Sequence, residues 1–133
     1  MEGYSVRIVN ASKRLTQKER VAIKDTSECF KLDEACEGNA VIINPDYYVV
    51  LDIHNEKSDN KDYNNYIIVD KDGTKYVTGS DSFFTSFKSI MDEMADAEAD
   101  MEEGEELEEW SIKVYKMDSK NYKGKQFITC SIV

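Results

Sequence analysis

The residues with most to offer chemically stand near the end of the chain, where lysines and tyrosines interleave. They are Lys113-Val114-Tyr115-Lys116, followed by Lys120-Asn121-Tyr122-Lys123-Gly124-Lys125. A cation neutralises a phosphate and an aromatic ring stacks on a base. The mixture is therefore suited to holding a single nucleic-acid strand without reading its sequence, each stack being worth about 1–3 kcal/mol. The same pairing recurs upstream, where Arg7, Lys57, Lys61 and Lys75 are interspersed with Tyr48, Tyr63, Tyr66 and Tyr76. Tyr47 and Phe127 are further aromatics on strand-like stretches. The alternative for each ring is an amphipathic residue at the edge of the core, and for each lysine a solubilising charge. Exposure decides between the two.

Other chemistry is poorly supplied. The chain has a single His, no Gly-rich phosphate cradle, no Ser-centred elbow and no His/Cys/Asp/Glu grouping at metal-ligand spacing, so no catalytic residue, cofactor or metal is expected. Asp70-Lys71-Asp72-Gly73 has the look of a calcium loop, but the further oxygen ligands and flanking helices of an EF-hand are missing, and a tight turn is expected. Cys29, Cys36 and Cys130 are odd in number and match no zinc or redox spacing. They read as free buried thiols, which suits a reducing compartment such as the cytoplasm. No apolar run approaches the ~20 residues of a membrane span, and the first ten residues lack the apolar core of a signal peptide.

The net charge of −10 is unevenly distributed. Residues 1–24 carry +4, residues 25–91 carry −7, residues 92–109 carry −11 and residues 110–133 carry +4. Without the acidic run the chain is weakly positive, with its cations gathered at the two ends. Such asymmetry says more about partners than the total does.

The elements that must position these groups are mostly strands. Tyr4, Val6 and Ile8 alternate with polar residues, as in a strand with one buried face ending near Asn10. Residues 12–20 are polar and basic; Thr16 and Glu19 have capping-box spacing, which fits one or two helical turns as well as a solvated loop. Ala40–Ile43 and Tyr47–Ile53 are β-rich, and Pro45 between them predicts a bulge, a bend or an edge position. Residues 55–65 read as a polar loop, and Tyr66–Val69 with Thr74–Thr78 as a hairpin closed by Asp-Gly. From Ser80 a helix is expected on the spacing of Phe83, Phe84, Phe87, Ile90, Met91 and Met94, fraying between about Ala97 and Gly104 because like charges crowd there. Trp110, Ile112 and Val114 begin another strand, with Trp110 anchoring its start. A turn over Asp118–Lys125 and a closing strand over Gln126–Val133 follow. At 133 residues the chain is expected to form one domain, mainly β with one helix (α+β). The element order matches a five-stranded Greek-key barrel of the OB type, with the helix between the third and fourth strands.

Three patches carry a family likeness: Val6-Arg7-Ile8-Val9-Asn10-Ala11, then Asp72-Gly73-Thr74-Lys75-Tyr76 before a Ser-started helix, and Ile112-Lys113-Val114 with Lys123-Gly124-Lys125-Gln126-Phe127. In these patches and in element order the chain resembles single-stranded DNA-binding proteins of small tailed bacteriophages, including those that prime replication with a protein. The resemblance implies an OB-like, non-enzymatic protein coating displaced single-stranded DNA during replication in the host cytoplasm, with no membrane association. The acidic segment at about 92–109 departs from that pattern, in which such acids would form a terminal tail. Three readings stay open for it: a solvated loop, a gate that competes with DNA for the basic groove, or a docking tag for replication proteins. An extreme form of the last is a DNA mimic that inhibits a host nucleic-acid-binding or defence protein.

Overall fold

A computed structural model describes residues 3–121 and 123–133. The chain is mainly β and divides into two compact units. The first comprises the residues up to Ala35 together with Pro45–Ser80, and the second Cys36–Asn44 together with Asp81–Val133.

In the first unit the long strand β4 (Pro45–Asn55) is central. It pairs antiparallel with β1 (Tyr4–Ala11) on one side and β5 (Asp62–Asp70) on the other. Strand β6 (Lys75–Thr78) follows β5, and the two-residue β2 (Phe30–Lys31) adds parallel to β6, giving the order β1-β4-β5-β6-β2. Alternation puts Tyr47, Val49, Leu51 and Ile53 on one face. There they join Ile67, Val69 and Ile23 in a core. Ile23 comes from helix α1 (Gln17–Ile23), which begins in the stretch whose sequence fits helix or loop equally and runs three residues beyond it. Its capping box is complete: the Thr16 hydroxyl accepts from the Glu19 amide, and the Glu19 carboxylate accepts from the Thr16 amide. Two orphan donors are satisfied reciprocally, which stabilises a helix too short to persist alone. A 3-10 turn over Thr26–Glu28 and the single-turn α2 (Leu32–Ala35) complete the unit.

The Asp-Gly turn closes β5 and β6 as expected. Its Asp70 and Asp72 carboxylates accept backbone amides from Asp72 and Thr74, and Gly73 takes φ +91°. These bonds use the carboxylates as turn formers, and the Thr74 amide holds Asp72 below the usual carboxylate range. The polar loop is shorter than expected. Residues 62–65 are strand, since Tyr63 reaches the core on one face while Asp62 stands opposite His54 on the ladder. Pro45 marks a register irregularity at the start of β4, and the residues before it belong to a different sheet.

That second sheet has the order β3-β7-β8, formed by β3 (Val41–Ile43), β7 (Ile112–Asp118) and β8 (Gln126–Ile132), all antiparallel. Trp110 is half-buried and precedes β7. Helix α3 (Asp81–Ala99) packs against β8. Phe83, Phe84 and Phe87 are buried along it as their spacing requires, the rings of Phe83 and Phe87 stacked at 6.0 Å. The helix stops at Ala99, where acids accumulate at the negative end of its dipole. Gly104 then turns the chain at φ +90°.

Two expectations are corrected. Among the described residues there are three α-helices, and the long one lies between the sixth and seventh strands. The strands do not form one five-stranded barrel: they fall into sheets of five and three, and no closed barrel occurs among the described residues. Among those residues no helix is long and apolar enough to cross a membrane.

Candidate nucleic-acid interface

The β7–β8 hairpin has two unlike faces. Ile112, Val114, Ile128 and Cys130 are buried on one, and the helix lies on that side, where Ile90 and Met94 line a small cavity with Ile132. Burial pushes the Cys130 thiol up to about 11, as suits an inert packing residue. Cys36 is buried and Cys29 half-buried.

The opposite face is formed by every other residue. Lys113 stands opposite Ser131, Tyr115 opposite Thr129 and Met117 opposite Phe127, with Ile42 of β3 beside Lys113. Paired residues of antiparallel strands point to the same side, so these seven share one surface. It carries a cation, two aromatic rings and no carboxylate. Phe127 is 42% exposed and Ile42 54%, while Tyr115 is half-buried with the Lys113 ammonium 5.5 Å from its ring centroid. The surface runs on into the connecting loop, where Lys120, Lys123 and Lys125 are all exposed. The loop is closed by the Ser119 amide donating to the Lys125 carbonyl at 2.8 Å, and by the Gln126 amide group donating to Asp118 at 3.1 Å. Tyr122 lies outside the described residues.

Lys116 has the other parity and is half-buried, 3.9 Å from Glu37. It belongs to the helix side of the sheet. The remaining candidates fall in the first unit and do not converge. Arg7 pairs with Asp52 at 3.6 Å across β1 and β4. Lys61 pairs with Glu56 at 3.2 Å beside His54, whose Nδ1 lies 2.7 Å from Asp62 and Nε2 2.6 Å from Glu56. The Asp62 and then the Glu56 carboxylate raise the His54 imidazole above its ordinary value. Lys57 is exposed in the same loop. Lys75 and Tyr76 are half-buried, the Tyr76 ring 6.1 Å from the exposed Phe30. Tyr63 packs on the core. Tyr48 and Tyr66 leave the candidate set, because they are only 5% and 6% exposed and have no ring face open to a base. Both faces of β4 and β5 are covered at that point, whereas a stacking platform needs one open face.

Phe127, Met117 and Ile42 are the additions the structure makes. Phe127 is visible in the sequence as an aromatic on a strand; that it joins Tyr115 depends on the pairing register. Ile42 is hidden in the apolar triplet Val41-Ile42-Ile43, whose middle residue alternation turns outward. No family model, curated protein or solved structure matches the chain, so the reading of this surface rests on its own geometry.

Proposed function

We propose that this protein is a non-enzymatic single-stranded DNA-binding protein. It stacks bases on Tyr115 and Phe127 and meets phosphates with Lys113 and with Lys120, Lys123 and Lys125 of the adjoining loop. One observation carries the reading: a single sheet face brings rings and a cation together with no carboxylate among them, and continues into a loop of exposed lysines. Sequence-independent binding needs those ingredients together. An OB-like barrel would hold a strand across the same kind of face, but an open sheet suffices.

The likeness in short sequence patches to phage single-stranded DNA-binding proteins supports a role in coating displaced strands during replication, in the host cytoplasm. In that setting the acidic segment is available to dock basic replication proteins. Titration with oligo(dT) at low salt tests the proposal: binding is expected, weakening steeply as salt rises, because several phosphate contacts release counterions. Absence of binding at low salt overturns it. A second reading, a DNA mimic, draws on the exposed carboxylates of α3 and of residues 100–109. It predicts a protein that ignores oligo(dT) and retains a basic DNA-binding protein.

A further inference from the structure

A second cationic surface lies in the first unit, in the segment 1–24, of which only Arg7 is a binding candidate on sequence grounds. Strand β1 carries a bulge between Ile8 and Asn10, so that Val9 has no partner on β4 and stands 49% exposed. A bulge bends its strand and redirects the side chains that follow. Here it opens a groove between the end of β1 and α1, lined by Val9, Asn10, Lys13, Arg14, Gln17 and Arg20 among others, with no acidic residue in the lining among the described residues. Glu19, the carboxylate on the same helix, is committed elsewhere. It accepts from the Thr16 amide at 2.9 Å, from Lys13 at 2.9 Å and from the Tyr47 hydroxyl at 3.4 Å. The Lys13 charge is thereby balanced, and its ammonium is held 4.2 Å from the centroid of the Tyr47 ring. Arg14 and Arg20 are exposed and have no ion-pair partner among the described residues. The groove therefore presents two uncompensated guanidinium groups, which suit the bidentate geometry of phosphate oxygens. The Asn10 and Gln17 side chains supply neutral hydrogen-bonding groups, and no exposed aromatic is present to stack a base.

We infer that this groove is a phosphate-binding site that grips the backbone of a single strand without contacting its bases. The inference rests on the proposed function for the identity of the polymer, while the groove's affinity for phosphate is independent of it. It is tested by following the backbone amides of Arg14, Gln17 and Arg20 by NMR while adding inorganic tripolyphosphate, and separately a short oligo(dT). Wild-type protein is compared with Arg14→Ala/Arg20→Ala and with Tyr115→Ala/Phe127→Ala.

Both probes should move the groove amides of the wild type, and tripolyphosphate should move them equally in the sheet-face variant. In the arginine variant the tripolyphosphate shifts should vanish. The log–log salt slope for oligo(dT) should fall by about 1.4, the share of two phosphates at roughly 0.7 each. Both arginines are exposed, so the variant is expected to keep its fold, checked by unchanged amide dispersion elsewhere. Groove amides unmoved by tripolyphosphate, or moved alike in the arginine variant, overturn the site. Amides moved by tripolyphosphate but not by oligo(dT) that is bound elsewhere overturn the strand as its occupant. Failure of oligo(dT) to bind at all, with the tripolyphosphate response intact, refutes the proposed function and the strand as occupant, and leaves an anion groove.

Discussion

Tyr115 on β7 and Phe127 on β8 are diagonal neighbours on one open sheet face, Tyr115 standing opposite Thr129 and Phe127 opposite Met117. If bases stack there, Tyr115→Ala and Phe127→Ala should each weaken oligo(dT) binding by about 1–3 kcal/mol, or about 5- to 150-fold. Phe127 is 42% exposed, so its substitution should lower thermal stability far less than that of a fully buried ring. Fluorescence titration beside a melting curve separates the two effects, and unchanged affinity would remove this face from the site.

Lys120, Lys123 and Lys125 should act through charge alone. Replacing all three by Gln is expected to reduce the salt slope by roughly 2, since each phosphate neutralised on a single strand contributes roughly 0.7. Titrations over a range of salt concentrations measure that slope directly. A slope equal to the wild type's would show that the loop does not meet the backbone.

The acidic run should make a poor gate for the lysine loop at physiological salt. Glu108 and Glu109 lead into the end of the sheet where Ser111 and Val133 exchange backbone hydrogen bonds. The lysine loop is at the other end of β7, about 20 Å away for a strand of this length. That exceeds the Debye length of about 8 Å. Changing the seven acids of residues 100–109 to Gln or Asn should therefore alter affinity little at physiological salt and tighten it mainly at low salt. Strong tightening at both would mean that the segment folds over the binding face.

The cap of α1 offers a test of stability. Thr16→Ala should cost about 1 kcal/mol, the usual value of an N-cap hydroxyl. The Thr16 amide and then Lys13 hold the Glu19 carboxyl down at about 2, against an ordinary 4.5. Because the folded value is the lower, the stabilisation is present above pH 4.5 and is lost as pH falls toward 2. Urea unfolding of wild type and Glu19→Gln at a series of pH values should show a gap that closes over that window.

His54 should behave in the opposite sense. Its value is raised by Asp62 and then Glu56, so the stabilisation is full below the ordinary 6.5 and disappears as pH rises through the raised value. NMR titration of the imidazole should give a midpoint above 6.5 in the wild type. Asp62→Asn should bring it down, and an unchanged midpoint would show that the two side chains do not meet in solution.

Local chemistry is legible in the residues; long-range pairing is not. Thr16 with Glu19, Asp70 to Gly73, Pro45 and the phenylalanines of α3 each act within a few positions, and each does in the fold what its spacing predicts. The barrel expectation fails because strand partners are chosen at a distance: β3 contributes three residues and pairs with a strand about seventy positions later. Tyr48 and Tyr66 depart from expectation for a related reason. Alternation implies one wet face, yet the continuous run Tyr47-Tyr48-Val49-Val50-Leu51 is the signature of a strand covered on both.

The interruption at Pro45 has a bearing on how the molecule is made. Because β3 leaves the ribosome early but its partner β7 is translated only after β4, β5, β6 and α3, the cationic surface cannot assemble until the closing hairpin has emerged. A chain translated only as far as α3 lacks both strands of the proposed binding face, so any contact that face makes waits for β7 and β8.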